Sequence, residues 1–405
     1  MTSSNLQIIS PNQGKHLRPI GQLTADAFSG GNYVDQFCDN YIGNNHYDWD
    51  TSRIILDGES LIHHWGVWGY QMRVGSEPGA VCTSHLNVAG IGAVATAADY
   101  RKLGLMHRAA EDSFAAMQAA GYDLSILRGR HYVKMGYARA WNYVTTHIKL
   151  DELPQREQNK PYQALRADQV GEMDVLYNQA HANFSGTAIR PTYRNHHPDD
   201  ICVYAWFDDQ AKLEGYIRAQ PVEDEPKTLQ CLEATGDPLQ GLAVLSKVYK
   251  LGNYEKLTCF TLPCQHPLLQ TLRKGACIVE DRYFEVSGWR VRMVNLHSCL
   301  DKIKQLLEQR LAQSQFAGWQ GDLLLVGGSQ KAILNIEGGK VEIAEAGSSK
   351  NILHAGADIA RFIIGSDAPD EIIRQADMVT SGLAVPLVRV LFPNLQPMLS
   401  HWDEF

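Results

Sequence analysis

Apolar and polar positions follow two rhythms along this chain. Residues 88–96 are small and apolar almost without interruption, which predicts a buried strand. Leu103, Met106, Ala110, Phe114 and Met117 then recur every three or four residues and predict a helix with one stripe facing a core. Gly121 ends that helix as a C′ glycine would, and a second apolar strand follows at 122–127. Upstream, a short apolar stretch at 6–9 precedes a helix over 17–28. Antiparallel strands are predicted at 53–57, 61–65 and 67–74, with Gly58 and the pair Pro78-Gly79 as turn signals. His63 and His64 have no third residue at metal-ligand spacing, so they read as strand positions and no metal site is expected.

A strand at 144–150 is expected to close a first unit, and the polar, proline-bearing stretch 151–160 reads as a linker. The next segment has an alternating αβ rhythm. Helices are predicted at 168–180, 241–250 and 267–272, and strands at 201–207, 213–219, 228–234 and 259–262. The run 195–198 reads as a loop at a domain interface. From about residue 295 the character changes. An amphipathic helix at 299–311 precedes a meander at 321–326, 331–337 and 340–344, with Gly338-Gly339 as its hairpin turn, and helices at 357–364 and 368–377 follow. The chain is therefore expected to be a mixed α/β (α+β) protein of three units, 1–150, 151–294 and 295–405.

Composition sets limits on function. The 405 residues, 44% hydrophobic and 20% charged, suit several globular domains. The net charge of −8 argues against a general nucleic-acid binder and suits a cationic small molecule. The eight scattered cysteines, with no C-x-x-C pair, read as buried thiols of a reducing cytoplasm. The first residues show no signal-peptide pattern, and no apolar run reaches the length of a membrane span, so no membrane partner is expected.

The turn at 101–106 carries the chemistry. A helix start leaves its first N–H groups without partners, and the helix dipole adds partial positive charge there. Gly104 lets an anion approach the backbone, and Arg101 and Lys102 add cationic donors, although a solvated surface turn has the same composition. The stretch 30–49 is rich in Asn, Tyr and Asp. It would cover a pocket for an organic cation or form an ordinary surface loop.

The order strand, Arg101-x-x-Gly104 turn, helix, strand, then Tyr132 and Gly136-Tyr137, resembles the GNAT acetyltransferases. In that family the motif is Gln/Arg-x-x-Gly-x-Gly/Ala. Here Met106 replaces the small sixth residue. The resemblance implies acetyl-coenzyme A, its pyrophosphate cradled by Arg101, Lys102, Gly104 and Leu105 and its pantetheine beside Val94, Ala95 and Thr96. It implies a backbone N–H near Val94 as oxyanion donor and Tyr132 as the acid that protonates the departing thiolate. The family's small hydroxyl after the second strand is replaced by Arg128-Gly129-Arg130, which either hold the 3′-phosphate or are surface charges.

Over the whole chain, an acyltransferase unit, a second one lacking the basic glycine turn, and a sterol-carrier-like unit ending in Asp403-Glu404-Phe405 resemble the Eis family. That resemblance implies that the α-carboxylate of Phe405 is the general base. It further implies an acidic, aromatic substrate pocket drawn from Asp26, Tyr33, Asp35, Trp49 and Glu404, an aminoglycoside, polyamine or lysine-like amine as acceptor, and a homohexamer. A competing reading, resting on the last unit alone, is a lipid or sterol carrier.

Overall fold

The computed structural model describes residues 6–75, 84–148, 160–165, 169–192, 203–345, 347–376 and 378–404. The Pro78-Gly79 turn, residues 151–159, the run 195–198 and Phe405 lie outside them. Among the described residues the fold is mixed α/β, built on sheets of seven, seven and five strands.

The first sheet runs in the order Leu6–Ile9, Arg53–Asp57, Ser60–Val74, Ser84–Thr96, Leu124–Arg128, Trp289–Met293 and Ala138–Arg139. The strands expected at 61–65 and 67–74 are one strand of 15 residues. Gly66 joins them because a Cβ there would stand 2.7 Å from the Trp68 ring and 2.8 Å from His64. The helix Gln13–Phe28 starts earlier than expected, since the Asn12 side chain accepts from the Lys15 N–H at 3.2 Å. The helix Leu105–Ala119 buries Leu105, Ala109, Ala110, Ser113 and Met117. Leu103, expected in that stripe, is 58% exposed, because the helix begins two residues later and Leu103 belongs to the turn before it.

The second sheet runs Cys277–Arg282, Tyr143–Ile148, Lys256–Phe260, Glu225–Thr235, Leu213–Val222, Val203–Phe207 and Gln163–Ala164. The strand expected to close the first unit is thus in the second sheet, paired antiparallel on both sides. In return, Trp289–Met293 enters the first sheet beside Leu124–Arg128, burying Trp289, Val291 and Met293. Sequence reading placed no strand after the helix Pro267–Leu272. The alternation of 289–293 was visible, but its partner lies about 160 residues away, and only burial selects it.

The third sheet runs Lys340–Ala344, Gln330–Glu337, Gly321–Gly327, Ile352–His354 and Val379–Ser381. Gly338 and Gly339 have φ of 59° and 75°, the left-handed pair that a two-residue hairpin needs. The helix Leu296–Ala312 ties this lobe to the first. Asp123, fully buried, accepts from the Asn87 N–H at 2.7 Å, the Ser298 hydroxyl at 2.7 Å and the Lys302 ammonium. One apolar cluster runs from Val88 and Leu124 of the first sheet through Leu300 and Leu307 to Leu323 and Leu387. No helix of the described residues is long and apolar enough to cross a membrane.

Among the described residues five histidines are buried, and four of them are strongly desolvated. Desolvation lowers His63 and His266 to about 4, and His64 and His181 to about 3. Unfolded histidine titrates near about 6.5. Between that value and the folded values the unfolded chain binds the extra protons, so stability is lost as pH falls through this window. The unfolding free energy measured in urea should therefore drop from about pH 6.5 to about pH 4, by roughly 1 kcal/mol per histidine per pH unit. A flat profile over that range would mean that the folded protein protonates them.

Candidate active site

Strands Ser84–Thr96 and Leu124–Arg128 lie parallel, but their ladder consists of Val88 with Leu124, Ala89 with Ser125 and Gly90 with Ile126. Beyond Gly90 the longer strand continues for six residues without pairing to its neighbour. On its other side Gly92 pairs with Gly66 and Ala95 with His64, so Ala93 and Val94 stand opposite Trp65 alone. This is a β-bulge, and Ala93 takes a φ of 45° to form it. Past Gly90 and Ile126 the two strands no longer pair, which leaves a groove between them, and the bulge lies just beyond that point.

The turn 101–104 stands at the end of this groove. Lys102 and Gly104 have φ of 65° and 74°. A left-handed lysine is costly and is kept only where the surroundings impose it. Gly104 is the N-cap of the helix Leu105–Ala119, and no side chain caps the helix. A Cβ placed on Gly104 meets nothing within 4 Å, so the approach to the first amides is open. Arg101, Lys102 and Leu103 are exposed, and the Arg101 Nε–H donates to the Thr96 carbonyl at 3.3 Å. An open, uncapped helix start with two cations fits a pyrophosphate, and the unpaired strand edge fits an extended amide chain. The second lobe differs at the equivalent place after strand Glu225–Thr235. There Pro238 opens the helix and the Asp237 carboxylate accepts from the Leu239 N–H at 3.0 Å. That helix start is occupied by its own anion and repels another.

Tyr132 lies on the other wall, in the short helical turn Arg130–Met135. Its ring packs edge-on to Trp65 at 5.9 Å and to Tyr137 at 6.2 Å. Burial pushes its phenol up to about 12, so it holds its proton at any working pH.

The last described residues reach the end of the strand Leu124–Arg128. Glu404 is buried and accepts from the Arg128 guanidinium at 3.3 Å, with the His401 ring 3.4 Å away. Arg128 in turn lies over Trp289 and Tyr143. Asp403 is held further in. The Arg190 Nε and Nη2 each donate to it at 3.1 Å, and the Thr192 hydroxyl donates at 2.8 Å. Arg190 also donates to Glu233 at 2.9 Å, and Tyr216 and Ser400 complete that carboxylate at 2.6 and 2.9 Å. Arg218, 3.8 Å from Glu233, stacks 4.0 Å over the Trp402 ring. The side chains of Arg190, Glu233 and Asp403 are at most 1% exposed, so the terminal segment is anchored rather than frayed.

The remaining residues proposed for substrate are dispersed. Asp35 is exposed and paired with Arg18 at 2.8 Å, Asp26 accepts from Gln22 at 2.9 Å, and Tyr33 is an exposed residue with φ of 65°. Trp49 meets Tyr47 edge-on at 4.5 Å, in a cluster with Trp68 and Ala93. No hydrogen bond, ion pair or ring contact among the described residues joins these four to Tyr132 or Glu404. Sequence reading missed Tyr41, whose hydroxyl lies 2.3 Å from where a Gly92 Cβ would stand, and it missed the Arg190 cluster. Tyr41 falls within the aromatic stretch that had been singled out. Nothing local marked Arg190.

Residues 12–140 match the family model described as Acetyltransferase (GNAT) domain. This first third of the chain is such a domain, of the class of N-acetyltransferases that draw their acetyl group from acetyl-coenzyme A. The whole chain resembles a GCN5-related N-acetyltransferase from Anabaena variabilis ATCC 29413, with a TM-score of 0.74 at 17% identity over 99% of this chain and 100% of that one. A probable N-acyltransferase from Enterococcus faecalis V583 gives 0.73 at 16%, and Eis1 from Mycobacterium abscessus gives 0.71 at 13%, with the same coverage. At these identities the likeness is one of fold. A search of curated proteins finds no significant match.

Replacing Arg190 by methionine should cost about 3–5 kcal/mol in urea unfolding, since Asp403 would stay buried without its cation and Glu233 would keep only Arg218, 3.8 Å away. Hydrogen exchange of residues 400–404 should rise with it. Unchanged protection there would mean that the cluster does not hold the chain end.

Proposed function

We propose that the protein is an acetyl-CoA-dependent N-acetyltransferase for a cationic small-molecule amine, with Tyr132 as general acid and the α-carboxylate of Phe405 as general base. The observation that carries this reading is the groove opened where the strands stop pairing at Gly90 and Ile126, with an uncapped helix at its end and Tyr132 on its wall. In this reading Arg101, Lys102, Gly104 and Leu105 hold the pyrophosphate, and Val94, Ala95 and Thr96 line the path of the pantetheine arm. Bound acetyl-CoA supplies an acyl carbonyl activated as a thioester. The Val94 N–H donates to the acyl oxygen as negative charge grows there, a contribution of about 3 kcal/mol for a preorganised donor. Tyr132 gives its Oη proton to the departing thiolate. Phe405 takes a proton from the acceptor amine.

The chain end has support from its neighbours. Glu404, one residue before Phe405, is buried against Arg128 at the end of the strand that leads to Tyr132. Arg128 and His401 hold that carboxylate in place. The three lobes, with Tyr143–Ile148 exchanged into the second and Trp289–Met293 into the first, then divide the work. The first binds and reacts, the second anchors the terminal segment, and the sterol-carrier-like third delivers it.

Thiol release from acetyl-CoA should depend on acceptor across a panel of aminoglycosides, polyamines and lysine peptides. Release that no amine in the panel accelerates would contradict the reading. Tyr132→Phe should lower kcat by about 10²–10⁴ with little change in acetyl-CoA affinity. Because its phenol lies near 12, Tyr132 should impose no alkaline fall in kcat below about pH 11. Removing Phe405 alone should abolish turnover and leave the melting temperature within a few degrees, since the anchoring residues remain.

A further inference from the structure

The mechanism leaves unused a fully buried histidine at the bulge. His64 is on the strand opposite Ala95, and its Nδ1 lies 2.8 Å from the Ala93 carbonyl oxygen. Its Nε2 lies 2.8 Å from the Tyr47 hydroxyl. A carbonyl can only accept, so Nδ1 carries the proton and donates. Nε2 is then the bare nitrogen, and the Tyr47 O–H donates to it. Burial lowers His64 to about 3, which keeps the ring neutral and this tautomer in place. The ring also stacks against Tyr47 at 6.0 Å, and Tyr47 packs edge-on to Trp68.

The Ala93 carbonyl belongs to the peptide unit whose N–H is that of Val94. A hydrogen bond to that oxygen therefore fixes the plane and direction of the N–H. Ala93 is held at φ 45°, a conformation that its side chain disfavours, and something must hold it there. We propose that His64, set by Tyr47, is a positioning residue that holds the Ala93–Val94 peptide and so aims the Val94 N–H into the groove. This rests on the reading of Val94 as the donor to the acyl oxygen. The two aromatic residues form a rigid strut from the Tyr41–Trp68 side of the lobe to the Ala93–Val94 peptide of the bulge.

His64→Leu fills similar space without a donor, whereas His64→Asn can place an amide N–H near the position of Nδ1. For His64→Leu, kcat should fall about tenfold to a hundredfold with KM for acetyl-CoA unchanged, and His64→Asn should recover most of the loss. Independently of turnover, exchange of the Val94 amide should quicken in His64→Leu and return towards wild type in His64→Asn. Wild-type kcat and exchange in a folded His64→Leu protein would overturn the proposal, as would equal losses in both variants. Should His64→Leu fail to fold, Tyr47→Phe carries the test. It should quicken Val94 exchange and lower kcat several-fold, and no change in either would overturn the proposal. Failure of the underlying reading shows differently: Val94 exchange would respond to His64 while turnover would not.

Discussion

Two parallel strands that pair over three residues and then separate leave backbone polar groups that must find other partners. In the first lobe this parting is built in. The bulge at Ala93 and Val94 bends one strand, and Trp289–Met293 holds the other flat on its far side. Glycines at 66 and 92 admit the rings of Trp68 and Tyr41 where a Cβ would collide. Each of these features removes a choice from the chain, so that the groove is a fixed part of the sheet rather than a gap in it. Although the chain as a whole is acidic, this uncapped helix start with two cations is locally suited to an anion.

The two helix starts differ in what occupies them. Where the first lobe places Gly104 and leaves amides open, the second places Asp237 and fills the same position with its own carboxylate. The second lobe spends its polar interior on Arg190, Arg218, Glu233 and, from the far end of the chain, Asp403. Two cations meet two anions, so the cluster is neutral as a whole. A buried cluster of this kind seldom adds net stability over apolar packing, and what it provides is selection of one arrangement. Here the selected arrangement is the path of the last residues past Arg128.

Much of this was legible before any coordinates. The strand, glycine turn and amphipathic helix of 88–119 were visible in the periodicity, and so were three helices and the hairpin of the last lobe, though not the helix Ala384–Leu391. Leu103 was misplaced because a periodic stripe does not reveal where a helix begins when no side chain caps it. Local pattern identified Tyr143–Ile148 as a strand and missed Trp289–Met293, and in neither case did it give the sheet. Asp403 read as part of an acidic tail, since a carboxylate near a terminus looks the same whether it is solvated or locked to an arginine 213 residues away.

Residue order alone determined what is governed by neighbours within a few positions: which stretches are strands or helices, where glycine permits a left-handed turn, and which residue types could handle a phosphate or a proton. Tertiary structure decided which strands share a sheet, which peptide is left unpaired, and which charges are buried together. Those outcomes depend on contacts between segments from 29 to 213 residues apart, whose pairing is chosen by burial over the whole molecule and leaves no mark on either segment by itself.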